Sequence, residues 1–320
     1  MTVIFAKTRY QYDSYGDYRK LIELSGFPTC FVDEIDLESE DFYIISPANG
    51  ELRPHLSART AALKGPQRSI VVFWNLERPD SNDMKGRSID NKIRDDHRAI
   101  LQYVDAVWSS DRWVANVDPP TVYVTMGSHP GLSMGRAKLE AKWDLAHLSY
   151  VSPRRSPIYH KIGQAYSLAP TGWGEERDKI LRSSRAMLNI HQTNAPILEP
   201  LRIAVAAAYK MPYITEYTRD SFPLEHRVNC LMAPADGLLD MLGRAWGSDL
   251  GPLGENLHSR LCVETDFRRG VEEGVQKTME ALWREETDRP FMDPPETPPP
   301  EPETLDVPPE EEAAEPPLGG

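Results

Sequence analysis

The chain has 320 residues, with 36 Lys+Arg against 49 Asp+Glu and a formal net charge of -13. Residues 291–320 hold nine of those acids, no base and ten of the 28 prolines; removing them takes the charge from -13 to -4 for residues 1–290. A hydrophobic content of 40% excludes global disorder, and three distant cysteines (Cys30, Cys230, Cys262) exclude a disulfide framework. No apolar run approaches the ~20 residues that span a bilayer. The opening MTVIFAKTRYQYD has no basic stretch followed by a long apolar one. A secretory leader is therefore not expected, and the cytoplasm is the expected compartment.

TVIFAK at 2–7 reads as a buried strand, and 16–26 as a helix with Tyr18, Leu21, Ile22 and Leu24 on one face. Strands are predicted at 29–33, 42–46 and 69–74, with a helix over 51–64 between the last two. A helix over 90–103 leads to strands at 104–108 and 121–126. The pattern then restarts. It predicts strands at 148–152, 185–191, 211–217 and 230–234, and helices at 154–164, 175–184, 196–210, 236–246 and 269–287. Strands alternating with helices indicate parallel sheets covered on both faces. The expectation is two α/β units, 1–137 and 138–288. Residues 289–320 form a Pro/Glu-rich tail in which proline and like charge predict disorder.

The chemistry concentrates in 175–217, where a buried strand runs through a loop into an apolar helix predicted to begin near Pro196. Its N-terminus offers free N–H groups and a positive dipole end beside a strand's carboxyl edge, a phosphate-binding arrangement. Glu199 falls in the predicted first turn and Arg202 follows. Glu199 there also suits dipole stabilisation alone.

YVSPRRSPI (150–158), MLNIHQ (187–192), LEPLRI (198–203) and PYITEY (212–217) resemble the nucleotide-sugar domain of GT-B glycosyltransferases, in particular the group 1-like enzymes. FWNLERPD (73–80) carries a fainter likeness in the first half. The resemblance implies two Rossmann-like domains facing a cleft, the first holding the acceptor and the second the donor. It also implies that the last helix returns to the first domain. It implies sugar transfer from a nucleotide diphosphate donor to an acceptor hydroxyl, retaining and independent of metal or any resident cofactor. In the family a Glu–seven–Glu pair brackets the strand–helix junction. Glu199 matches the second, ribose-binding position, whereas His191 stands where the first acid is expected.

The same resemblance places Arg154 or Arg155 on the diphosphate, with Lys161 a helix turn or two further as a nucleotide-sugar-binding candidate, and Glu216 in the cleft. Arg suits phosphate because its planar fork makes bidentate contacts. Trp173-Gly174 is a candidate flank for the base. Glu77 is an acceptor-side catalytic candidate together with His191. Tyr15, Gly16, Asn75, Ser109 and His129 are cleft-loop candidates, with a structural role for His129 beside Pro130 the stronger alternative. A GxGxxG fingerprint, Walker A loop, HExxH, EF-hand loop and GxSxG are absent, and the eight histidines show no paired metal spacing. Two alternatives stand beside the transferase: a non-catalytic sugar- or nucleotide-binding GT-B module, and a glycosyltransferase acting on modified bases in DNA. The acceptor stays open among glycan, protein, small molecule and modified DNA.

Overall fold

The computed structural model describes residues 1–7, 16–45, 69–76, 100–110, 112, 119–135, 137–149, 151–192 and 198–288. The predicted helix at 51–64, most of that at 90–103, Tyr15, Glu77, Pro196 and the tail 289–320 lie outside them.

Six parallel strands form the first sheet: β1 (Val3–Lys7), β2 (Thr29–Phe31), β3 (Phe42–Ile45), β4 (Ile70–Asn75), β5 (Ala106–Ser109) and β6 (Thr121–Tyr123). Their order is β2-β1-β3-β4-β5-β6. β3 and β5 are buried at every position, as strands covered on both faces must be. Alternate residues part cleanly: Phe42, Ile44, Val72 and Trp74 join one core, while Tyr43, Ile45, Val71 and Phe73 join the other. Helix α1 (Gly16–Leu24) covers the first face with Tyr18, Leu21 and Ile22.

The second unit begins at β7 (Trp143–Ala146) and continues through α2 (Arg155–Gly163), α3 (Gly174–Arg182) and β8 (Ser184–Asn189). Helix α4 (Pro200–Ala208), β9 (Tyr213–Glu216), β10 (Cys230–Ala233), α5 (Leu238–Ala245) and α6 (Gly251–His258) follow. A π-helical turn, Ser259–Glu264, leads to α7 (Phe267–Asp288). The strands are again parallel, in the order β10-β9-β8-β7.

Two sequence expectations are corrected here. The described residues of 148–152 are not in a strand; the first strand of the unit among the described residues is β7, at 143–146. β7 is the sheet's edge, so it tolerates Asp144, which accepts from Ser167 N (2.9 Å) and Oγ (2.8 Å). Helix α4 begins at Pro200 rather than near Pro196, with Glu199 as N-cap. Proline at the first helical position is favoured because its missing N–H would have had no intrahelical partner.

Helix α7 returns to the first sheet. Phe267 stacks on Trp74 (5.8 Å), and Trp108 Nε1 donates to Thr278 Oγ1 (2.7 Å). Gly270 and Gly274 make this approach possible: a Cβ at Gly270 would collide with the Thr125 carbonyl oxygen, and one at Gly274 would press on Val124 and Trp108. The apolar core consequently runs through both units, joining Trp74 and Trp108 to Met187, Ala204 and Leu261.

Candidate donor site

The carboxyl ends of β7, β8 and β9 and the N-terminal ends of α2 and α4 converge on one cluster. β8 delivers Asn189, Ile190 and His191; β9 delivers Glu216; α2 carries Arg154 and Arg155; α4 carries Glu199 and Arg202. Ligands of open α/β sheets bind at this edge.

Glu216 is 3% exposed and sits between two partners. Its Oε2 accepts the His191 backbone N–H (2.5 Å) and Arg154 Nη1 (2.9 Å), while Oε1 accepts Arg154 Nη2. Arg154 Nη1 also donates to the His191 carbonyl (2.7 Å). Arg155 is 1% exposed; its Nε donates to the Ile190 carbonyl (2.7 Å) and its Nη2 lies 3.5 Å from Glu199 Oε1. Arg202 Nη1 donates to Asn189 Oδ1 (2.6 Å) and stands 2.8 Å from Glu199 Oε2, close enough for an ion pair. Asn189 Nδ2 in turn donates to Thr215 Oγ1 (3.1 Å). Three guanidinium groups thus meet two carboxylates, a net positive charge of one with the histidines neutral.

His191 is almost fully buried. Its Nε2 lies 3.2 Å from the Tyr217 carbonyl. A carbonyl only accepts, so Nε2 carries the proton and Nδ1 of the neutral ring is an acceptor. Nδ1 faces Glu199 Oε2 at 3.8 Å, too long for a hydrogen bond, and has no hydrogen-bond partner among the described residues. Two acceptors thus stand side by side, both buried, with Arg202 Nη1 2.8 Å from the carboxylate one.

Beside Arg202 opens a cavity of about 550 Å³ between the two units, lined by Gly16, Asp17, Lys20, Trp173, Leu201 and Arg202 among others. Its size is that of a small-molecule pocket (~300–1,000 Å³). Trp173, 63% exposed, stands at its wall. Two Arg–Asp pairs tie the units together. Arg177 holds Asp17 of α1 through Nη1–Oδ2 (2.6 Å) and Nη2–Oδ1 (2.5 Å). Arg112 grips Asp220 through Nη2–Oδ1 (2.6 Å) and its backbone N–H (2.8 Å). Arg112 also lies over Phe222 (4.9 Å), as does Arg260 (5.3 Å). Acids accompany the other cations here, Glu264 beside Arg260 and Glu273 beside Lys277.

Of the sequence candidates, Arg154, Arg155, His191, Glu199, Arg202 and Glu216 come together. Lys161 does not. It is exposed in the last turn of α2, roughly 9 Å along the helix from Arg155. Gly16 opens α1 at the cavity. Asn75 and Ser109 pair at the ends of β4 and β5, buried at the corresponding edge of the first sheet. His129 caps a 3-10 turn, its Nδ1 accepting Gly131 N–H at 3.0 Å, which is a structural use. Sequence reading placed Asp17 in the cleft loop but missed its pairing with Arg177, and it missed His147. The first two pair across 160 residues, and the third was hidden by the misplaced strand. Among the described residues no group of three or more His, Cys, Asp or Glu is placed to hold a metal ion, and no helix is long and apolar enough to cross a membrane.

No protein-family model matches the sequence, and no curated protein matches it. Solved structures do. Anabaena Alr3699/HepE in complex with UDP-glucose aligns with a TM-score of 0.56 at 10% identity, over 89% of this chain and 100% of that one. The same protein with UDP and glucose gives 0.54 at 9% identity, over 86% and 99%. AviGT4, a glycosyltransferase involved in avilamycin A biosynthesis, gives 0.50 at 12% identity, over 88% and 98%. At such identities the likeness is one of fold: the chain has the GT-B architecture, as its sequence resemblance implied.

Proposed function

We propose that the protein is a glycosyltransferase that moves a hexose-like sugar from a nucleotide diphosphate donor to an acceptor hydroxyl. One observation carries the reading: in a GT-B chain, Glu199 and His191 present facing acceptors beside Arg155 and Arg202, at the sheet edge where such a donor lies. The vicinal hydroxyls of a ribose fit that acceptor pair. The net positive charge of the cluster favours a diphosphate, and the dipole end of α4 adds to it. The base would lie in the 550 Å³ cavity against Trp173.

The chemistry proposed is metal-independent transfer with retention. Departure of the nucleotide leaves negative charge on the diphosphate, and guanidinium groups aimed at that charge stabilise it best in the low-dielectric cleft. Arg154 and the buried Arg155 are both committed to the 190–191 backbone and to Glu216 and Glu199, so their part is to hold that backbone and its charge balance, while Arg202, which lines the cavity, faces the ligand. His191 supplies the sugar-side acceptor in place of the family's acid. Asn75 and Ser109 mark the first unit's edge, where the acceptor would approach. The two Arg–Asp pairs resist opening of the cleft and so limit water's access to the donor.

A thermal-shift screen of uridine, guanosine, thymidine and adenosine diphospho-sugars tests the binding step, since a cognate donor stabilises by mass action. Release of nucleoside diphosphate from the stabilising donor tests the transfer step. Binding without any release, with or without sugar acceptors, assigns the protein instead to the non-catalytic class.

A further inference from the structure

The position of β7 puts an unassigned residue at the same sheet edge as the donor-site arginines. His147 is the first residue beyond that strand, at the carboxyl edge, and is 7% exposed. Its ring stacks on Tyr159 of α2 with centroids 4.6 Å apart and planes 26° from parallel. Its Nδ1 lies 3.2 Å from the Ser149 carbonyl, and Ser149 Oγ is 2.7 Å from Tyr159 Oη. His147, Ser149 and Tyr159 therefore fix one another, and the adjoining Leu148 lines the cavity that holds Arg202.

The carbonyl can only accept, so Nδ1 carries the hydrogen and Nε2 of the neutral ring presents a lone pair. No hydrogen bond to Nε2 forms among the described residues. We infer that His147 is a specificity-determining residue of the donor site, its Nε2 accepting a hydrogen bond from a hydroxyl of the nucleotide-sugar. An unprotonated nitrogen cannot donate to a phosphate oxygen, so it selects a hydroxyl where the neighbouring arginines select anionic oxygen. The ring is suited to stay neutral: burial first, then Arg155 and Arg202, holds its pKa below the ordinary 6.5, with the Ser149 carbonyl opposing. This inference rests on the transferase reading given above.

The test is titration calorimetry of the full chain with UDP-glucose and GDP-mannose, comparing the native protein with H147F, H147Q and H147N. Phe keeps the stack on Tyr159 and removes both nitrogens. Gln places an amide oxygen near Nε2, and Asn places its amide near Nδ1. The expected result is binding at least ~10-fold weaker in H147F and H147N, and within ~3-fold of native in H147Q, for the sugar nucleotide that the native protein binds. Native-like affinity in H147F overturns the inference while leaving the transferase reading intact. If H147F does not fold, equal affinities of H147Q and H147N overturn it. If the native protein binds neither probe nor any other diphospho-sugar, the transferase reading fails and this inference with it.

Discussion

Arg154 and Glu216 form a two-point ion pair, and Glu216 simultaneously receives the His191 backbone N–H. The pair is thus a brace between the ends of β8 and β9 and the start of α2. It sets the height at which His191 leaves its strand, and so the 3.8 Å separation of His191 Nδ1 from Glu199.

Removing one side of this brace leaves a charge without its counterpart. Glu216→Ala is expected to destabilise the fold by about 3 kcal/mol, the lower end for a broken buried pair because Arg154 retains some solvent access. Chemical denaturation measures this. A change below ~1 kcal/mol would show that the brace is dispensable.

Glu199 is expected to matter to ligand as well as to fold. It caps α4 without a side-chain hydrogen bond to the helix, so Glu199→Gln costs the helix little. The variant keeps the size of the side chain and loses the charged acceptor. Affinity for the cognate donor is expected to fall ~10- to 100-fold, about 1.4–2.8 kcal/mol, beyond the stability lost by leaving Arg155 and Arg202 without their carboxylate, which denaturation of the free protein measures separately. Unchanged affinity would remove Glu199 from the site.

Trp173 offers an optical readout. A nucleobase stacked on it would quench its fluorescence, and Trp173→Ala should abolish that quenching while weakening nucleotide binding by ~1–3 kcal/mol. Quenching that survives the substitution would place the base elsewhere.

The Arg112–Asp220 pair has a pH signature. Burial pushes the Asp220 carboxyl up, but the side-chain and backbone hydrogen bonds from Arg112 outweigh this, and the pKa lies below 3.8. The carboxylate therefore contributes stability that is fully present above pH 3.8 and is lost as pH falls through the lower folded value. Asp220→Asn should remove that component, so acid unfolding of the variant should show a shallower pH dependence below pH 4 than the native protein. Superimposable acid limbs would argue that the pair is already open.

Most of the sheets were legible because buried parallel strands are nearly continuous apolar runs; FYII and IVVFWN can hardly be anything else. β7 escaped because an edge strand needs only half a face, and WDLA shows two residues of one. The short α6 and the π-helical turn after it escaped for a related reason: Gly251, Pro252 and Gly254 look like loop until Lys210 and Met211 are seen packed against Gly254. At the site, Glu199 and Arg202 were legible because they follow a strand–loop junction within one helical turn, and His191 because it stands at the first position of the family's paired acids. Their partners Glu216 and Arg154 came from the family resemblance. Asp17 with Arg177, and Arg112 with Asp220, were beyond reach, since a pairing across 160 or 108 residues leaves no local trace in one sequence.

The return of α7 bears on how the chain is made. Trp74 and Trp108 belong to strands that leave the ribosome early, yet the Phe267 ring and Thr278 hydroxyl that complete their surroundings come near the end. The first unit therefore waits, with two indoles uncovered, until the second has been synthesised. A nascent chain halted between Tyr123 and Phe267 should bind hydrophobic dyes and holdase chaperones, and release them once Gly270 and Gly274 have emerged.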